Sequence, residues 1–362
     1  NFAELLGVPD YNNIDFSQAW APRGETGFLR VSIGTDDSGE PVTLDLKEAA
    51  QYGMGPHGLC VGATGSGKSE MLRTLVLGLL ISHDPEDLAM VLVDYKGGAT
   101  FAPFDGAPQV SGIITNLSDD ASLIERVYAS LSGEVQRRQQ VLRDAGNIAD
   151  ITTYRALRAE RPELGLAPFP HLLVIIDEFH ALFEGDDDLV DQAVALLEAI
   201  AKQGRAYGIH LLLASQTISG ISGLRAKGDS IFAQFPLRMS LKNTAQESEA
   251  ILSPHNRVAA ELTYRGEVIL NRNYGLDPAA AWAEPQTLDE LQQWLFDLGH
   301  DDPPMVFIGA NRAAWPEHGP DRADDGEGPV MWLGRPVRVT QTPVSLTLDA
   351  DVDQGVVLVG SG

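Results

Sequence analysis

The sequence predicts an α/β fold in which a central, mainly parallel sheet is flanked by helices. Three observations predict it. Short runs that are apolar throughout, such as Leu88–Val93, Leu172–Ile176 and Ile209–Ala214, alternate with segments of helical periodicity, the pattern of strands covered on both faces. One such run, Leu59-Cys60-Val61, leads straight into a glycine-rich loop and then a helix. Another closes on Asp177-Glu178, which puts two carboxylates at the carboxyl end of a strand.

Each element can be justified in chain order. Residues 1–27 form a lead-in broken by Pro9, Pro22 and Gly24. Phe28–Gly34 and Pro41–Leu46 read as strands joined by the turn chemistry of Asp36-Asp37-Ser38-Gly39, a small β-hairpin ahead of the main domain. After the strand at 59–61 and the glycine-rich loop, a helix is expected from about Lys68 to Ile81. Its apolar face is Met71, Leu72, Leu75, Leu79 and Leu80. The strand Leu88–Val93 ends in Asp94-Tyr95-Lys96-Gly97-Gly98. A long helix is expected from Ser118 to Ala145, with Ser118 as its cap, Asp119 and Asp120 in its first turn and Gly146 past its end. A helix from about Asp188 to Gln203 separates the strand at 172–176 from the one at 209–214, which runs into Ser215-Gln216.

From about residue 276 the texture changes. Prolines at 278, 285, 303, 304, 316, 320 and 329, with the acidic stretch Asp321–Asp325, read as a linker over 276–343, with one short helix over Thr287–Gly299. The last residues then echo the first unit: Val344–Ala350 resembles Pro41–Leu46, and Gly355–Gly362 resembles the strand and loop that begin at Gly58. The expected organisation is therefore a lead-in at 1–27, a main domain at 28–275, a linker at 276–343, and the truncated start of a second copy at 344–362.

Bulk properties narrow the function. The 362 residues suffice for one large domain and a smaller part. Lys plus Arg is 26 against 51 Asp plus Glu, a net charge of −25, which tells against gripping duplex DNA through its phosphates. No apolar run approaches the length of a membrane span, and the first residues have no basic signal region. The chain does not begin with Met and is expected to be a piece of something longer. The single Cys60 excludes internal disulfides and points to a cytosolic setting.

The chemistry sits in short motifs. Gly62-Ala63-Thr64-Gly65-Ser66-Gly67-Lys68-Ser69 fits G-x-x-x-x-G-K-[ST] between a strand and a helix. Its glycines let successive amides converge on phosphate oxygens, and the helix that follows offers its positive end to the same anion. Lys68 is expected on the β- and γ-phosphates of ATP and the Ser69 hydroxyl on Mg²⁺. Asp177 is expected to hold the Mg²⁺ through its water shell, and Glu178 to orient and polarise the attacking water, which implies hydrolysis. Gln216, ending the neighbouring strand, is placed to touch the γ-phosphate or the lytic water. Arg205 and Arg238 are the candidates for an arginine acting on a neighbouring subunit's site. His171 and His180 flank the Asp177 strand but lack partners at metal-ligand spacing, so the only metal expected is the nucleotide's Mg²⁺.

Several strings resemble the FtsK/SpoIIIE class of P-loop motors. They are Met54-Gly55-Pro56-His57-Gly58 leading into the loop up to Glu70, Asp94-Tyr95-Lys96-Gly97-Gly98-Ala99-Thr100-Phe101, and Arg205–Gln216. The Gly-Pro-His-Gly lead and the Lys-Gly-Gly-Ala-Thr-Phe string look most like the EccC motor ATPases of type VII (ESX) secretion. The resemblance covers about residues 28–275. It implies a RecA-like P-loop fold and ATP hydrolysis in an oligomeric ring of tandem ATPase domains. Lys68 and Ser69 match its phosphate-binding pair, Glu70 the residue that follows them, Asp177 and Glu178 its acidic pair, and Gln216 its sensor. It further implies a cytoplasmic domain of a plasma-membrane-anchored protein, membrane components of the secretion system as partners, and small helical-hairpin proteins as cargo.

Overall fold

A computed structural model describes residues 5–8, 14–48, 51–95, 97, 100–115, 121–183, 187–219, 221, 231–272, 277–282, 330–334 and 344–347. After two short helical turns, Phe16–Ala19 and Gly24–Gly27, comes a hairpin of β1 (Arg30–Thr35) and β2 (Pro41–Asp45), and the turn between them is held by Asp36, whose Oδ1 accepts from the Ser38 and Glu40 amides. Then come β3 (His57–Val61), helix α1 (Lys68–Ser82), β4 (Leu88–Asp94) and β5 (Val110–Thr115). They are followed by α2 (Ala121–Asp144), α3 (Ile151–Glu160), β6 (His171–Asp177), α4 (Asp187–Gln203) and β7 (Ile209–Ser215). The main domain is completed by β8 (Leu237–Leu241), α5 (Ala245–Ile251), β9 (Glu267–Arg272) and β10 (Asp277–Trp282).

These ten strands form one sheet in the order β2-β1-β10-β9-β8-β3-β7-β6-β4-β5. The stretch from β8 to β5 is parallel, whereas β9, β10 and the hairpin join antiparallel. Every residue of β3, β6 and β7 is buried, as expected of central strands with helices on both faces. The mixed α/β reading, with its mainly parallel sheet, holds.

Differences from the sequence reading have local causes. The strands β5, β8 and β9 mix polar residues such as Ser111, Arg238, Ser240 and Asn271 into short apolar runs, and they take their pairing from β4, β3 and β8. Asp277–Trp282 lies in the stretch read as linker, yet it pairs along its length with β9 and touches β1 through Trp282 and Thr35. Its one proline and three alanines give no alternating pattern, and only the neighbouring strands make it a strand. Helix α1 is buried nearly all round, with Val76, Leu77 and Gly78 enclosed as well as the expected face. The hairpin is the reason: Leu29, Val31, Ile33, Leu44 and Leu46 pack into the same core cluster as α1, and the Trp20 indole donates to the Leu80 carbonyl. A helix apolar on all sides is one packed on all sides. The cap residues Ser118–Asp120, the helix over 287–299 and the echo at 348–362 lie outside the described residues. Within 344–347 a short strand β12 (Val344–Thr347) pairs antiparallel with β11 (Val330–Gly334).

One buried cation ties the helical layer to the sheet. Arg138 of α2, 1% exposed, pairs with Glu134 and donates to the carbonyls of Tyr207 and Pro170, just ahead of β7 and β6. Its guanidinium also lies over the Phe169 ring.

Candidate nucleotide site

The glycine-rich loop emerges from β3 at the carboxyl edge of the parallel strands and is fastened on both flanks. The Gly62 amide donates to Ser215 O of β7, and the Ala63 amide to Lys242 O just beyond β8. The loop then turns back on itself, with Ser66 N donating to Ala63 O. Gly67 has φ +101°, and a Cβ there would stand 2.9 Å from the Gly266 nitrogen. Only glycine meets both the left-handed backbone and the close approach. Gly266 N donates to Ser66 O, so a turn about two hundred residues later in the chain braces the loop from outside. Helix α1 starts at Lys68, which leaves the amides of its first turn without intrahelical acceptors and its positive end facing the loop.

Around the loop the acidic and amide side chains converge. Strand β6 sits beside β4 and β7, so Asp177 stands level with Asp94 on one side and Ala214 on the other. The Lys68 ammonium lies between the two carboxylates: it bonds Asp177 Oδ1 at short range and Glu178 Oε1 at 2.9 Å. The Gln216 amide reaches across from the end of β7, and its Nε2 donates to Glu178 Oε1 at 2.9 Å. Thr64 Oγ1 donates to Gln216 Oε1 at 2.8 Å, joining the loop to the same chain of contacts. On the far side the Thr100 amide donates to Asp94 Oδ2, and its hydroxyl lies 3.5 Å from Asp177 Oδ2.

Electrostatics follow from burial and from sharing one cation. Burial lowers the basicity of Lys68, but Asp177 and Glu178 outweigh this and hold it above the ordinary lysine range. Burial raises Asp177, and the Glu178 and Asp94 carboxylates add to that against the pull of Lys68. Burial also pushes Glu178 up, but Lys68, the Gln216 amide and His180 carry it below the usual carboxylate range. The two acids therefore shift in opposite directions, Asp177 up and Glu178 down. Glu178 also takes φ +58°, a left-handed backbone costly to a non-glycine residue. The Asp177 carboxylate accepts from the Glu178 amide and holds this turn in place.

Sequence reasoning weighed His180 only as a metal ligand, and the structure gives it other work. Ser215 Oγ donates its one proton to Thr217 O at 2.6 Å, so it accepts from His180 Nδ1 at 2.9 Å. The same imidazole nitrogen stands 3.3 Å from Glu178 Oε2. Arg265 and Gly266 also escaped the sequence, because nothing local marks a distant turn as a brace. Arg265 approaches Glu70, whose carboxylate is held by Arg73 at 2.9 Å.

The two candidate arginines do not reach this site in their own chain. Arg205 lies in the turn Gly204–Tyr207 before β7, at the opposite edge of the sheet, exposed and paired with Glu48 at 3.3 Å. Arg238 sits within β8, and its guanidinium donates to the carbonyls of Phe235, Phe232 and Ile251, which fixes local backbone. Lys96, in the string whose role the sequence left open, lies outside the described residues.

The arrangement fits a nucleotide with its cation. The Ser66 hydroxyl is buried with no hydrogen-bond partner among the described residues. No atom lies within 4 Å of where a Cβ on Gly65 would be, so the loop's crown is open. The buried Asp177 and Glu178 already hold a cationic group between them, in the form of the Lys68 ammonium.

With that geometry in hand, comparison with known proteins is direct. The model of the FtsK/SpoIIIE family matches residues 20–220. The ESX secretion system protein EccC of Thermomonospora curvata is 45% identical over 249 residues, which cover 68% of this chain and 18% of that protein. The ESX-4 secretion system protein EccC4 of Mycobacterium tuberculosis is 45% identical over 252 residues, covering 69% of this chain and 20% of that protein. The solved cytoplasmic domain of the Thermomonospora curvata type VII secretion ATPase EccC matches with a TM-score of 0.75 at 40% identity, covering 84% of this chain and 35% of that one. The chain thus spans about a fifth of the length of the curated relatives it matches.

Proposed function

The chain belongs to the FtsK/SpoIIIE family, and from that premise we propose that it is a Mg²⁺-dependent ATPase module of a type VII (ESX) secretion motor. The observation that carries the hydrolytic reading is the position of Glu178: its Oε1 accepts from both Gln216 Nε2 and Lys68 Nζ beside the glycine-rich loop. Bound Mg–ATP supplies the γ-phosphoryl group as electrophile. The amides of Gly62–Gly67 and the first turn of α1 cradle its phosphates, with Lys68 turned onto the β- and γ-oxygens. The Ser69 hydroxyl and Asp177 would hold the Mg²⁺, and Glu178, kept ionised, orients and polarises water for attack. Gln216, tied to both Thr64 and Glu178, registers whether the γ-phosphate is present.

The secretion part rests on the 45% identity to the two EccC relatives. On this reading the chain is one of several tandem ATPase domains on the cytoplasmic side of a membrane-anchored protein, working in an oligomeric ring. Residues 283–343, which follow strand β10, would link it to a second unit beginning near 344. Small helical-hairpin proteins are the proposed cargo. Arg205, exposed and away from its own site, is the better of the two arginines to act on a neighbour. Duplex DNA is not a proposed partner at a net charge of −25.

Phosphate release by wild type and Glu178→Gln tests the hydrolytic reading. The variant should bind Mg–ATP as wild type does and turn over at least about a hundredfold more slowly. Wild-type turnover in the variant would show that the base is misassigned. Fluorescence anisotropy with duplex DNA tests the secretion reading, which tight, salt-steep binding would overturn.

A further inference from the structure

Gln216 stands one residue past the end of β7, so its own strand does not fix the direction it faces. The segment after it, Thr217–Ser219, belongs to no helix or strand. That segment is nevertheless tied down: Ser215 Oγ bonds the backbone of Thr217, and one carboxylate holds Thr217, Ile218 and Ser219 together. Glu247 Oε1 accepts from Thr217 Oγ1 at 2.5 Å and, at short range, from Ser219 Oγ. Its Oε2 accepts from the Ile218 amide at 2.8 Å and the Ser219 amide at 3.2 Å.

The sequence gives Glu247 a different task. Thr244-Ala245-Gln246-Glu247 has the spacing of a capping box, in which the glutamate turns back to the amide of the cap residue. Half of that device is present, because Thr244 Oγ1 accepts from the Glu247 amide at 3.2 Å. The carboxylate instead serves a segment about thirty residues earlier in the chain. Glu247 is 7% exposed, and everything aimed at it is a donor, so only an ionised carboxylate satisfies the group. Burial raises its pKa, but the hydrogen bonds from Ile218, Ser219 and Thr217 more than reverse this.

We propose that Glu247 is a positioning residue for nucleotide sensing: by pinning Thr217–Ser219 it holds the Gln216 amide between Thr64 and Glu178. The proposal rests on the sensor role given to Gln216 above. Helix α5 follows β8, the strand beside the one that feeds the glycine-rich loop. The clamp therefore couples the sensor to the opposite flank of the same loop.

Binding of fluorescent ADP and of ATPγS, each with Mg²⁺, tests this without requiring turnover. The quantity read is the preference of the chain for ATPγS over ADP. Gln216→Ala should reduce that preference, and Glu247→Gln should reduce it by a similar factor, on the order of fivefold to tenfold. ADP affinity should stay within about twofold of wild type. Combined with Gln216→Ala, the Glu247→Gln change should add no further loss, since both act through one amide. Thr217→Val, which removes one donor without touching α5, should shift the preference in the same direction by less. Equal weakening of both nucleotides, additive losses, or an unchanged preference beside an effect of Gln216→Ala would each overturn the proposal. If Gln216→Ala itself left the preference unchanged, the sensor role would fall, and the positioning role with it.

Discussion

Lys68 Nζ and Glu178 Oε1 lie 2.9 Å apart, and the same ammonium also bonds Asp177. The residue proposed to serve the phosphates thus neutralises the two acids in this structure. On the proposed reading, nucleotide binding would move Lys68 from the acids to the phosphates, and Ser69 with Asp177 would hold the Mg²⁺ that compensates the acids' charge.

Lys68→Ala should therefore do two things. It should abolish measurable nucleotide binding in a calorimetric titration. It should also destabilise the nucleotide-free chain by about 3 kcal/mol, because two buried carboxylates lose their counter-ion. Binding of Mg–ATP at wild-type affinity would show that the loop does not hold the phosphates through this residue.

Gly67→Ala should be as damaging to the site although it removes no functional group. The new methyl meets the Gly266 nitrogen at 2.9 Å on a backbone at φ +101°, so either the loop or its brace must shift. A stability loss of about 1–3 kcal/mol is expected together with lost nucleotide affinity. Denaturant unfolding and nucleotide titration measure the two effects. A variant that binds normally would mean that the contact with Gly266 does not shape the loop.

Arg138→Ala should separate fold from chemistry. It leaves the Tyr207 and Pro170 carbonyls without this donor and Glu134 with Arg137 as its remaining partner. The expected loss is about 1–3 kcal/mol of stability, with the nucleotide affinity of the folded fraction unchanged. Chemical denaturation of the variant beside wild type checks the first, and titration well below the melting temperature checks the second.

Acid should destabilise the chain before its carboxylates titrate. Burial, the main cause in each case, takes His57 down to about 3, His83 and His210 down to about 4, and His171 well below the usual value. His210 Nδ1 donates to Pro56 O, so its Nε2 accepts from His171 Nδ1, and the pair is satisfied only when neutral. In the unfolded chain these side chains titrate near 6.5, so between about pH 4 and 6.5 the unfolded state binds more protons. Stability is full above that range and falls as pH drops through it, by up to about 1.4 kcal/mol per pH unit for each histidine. Melting temperatures at pH 7.5, 6 and 5 should decline in that order. Equal melting temperatures across the series would show that these rings are not held neutral.

The loop Gly62–Ser69, the Asp177-Glu178 pair, the parallel strands that carry them and the place of Gln216 beside them were all legible in the sequence. Each is written in local spacing: a strand, a tight turn and a helix start require particular residues within a few positions of one another. The strand Asp277–Trp282 was not legible, because its hydrogen bonds come from β9 and β1 rather than from any pattern of its own. Nor was the local role of Arg238, since the carbonyls of Phe235, Phe232 and Ile251 that it holds are gathered by the packing around β8. The brace from Gly266, the His180 contact with Glu178 and the Glu247 clamp behind Gln216 join residues between two and two hundred positions apart. The sequence alone determined which chemical groups the protein has and on which local elements they ride. The tertiary structure decided which of them meet, because strand order and the path of each crossover set long-range neighbours, and neither leaves a local signature in the chain.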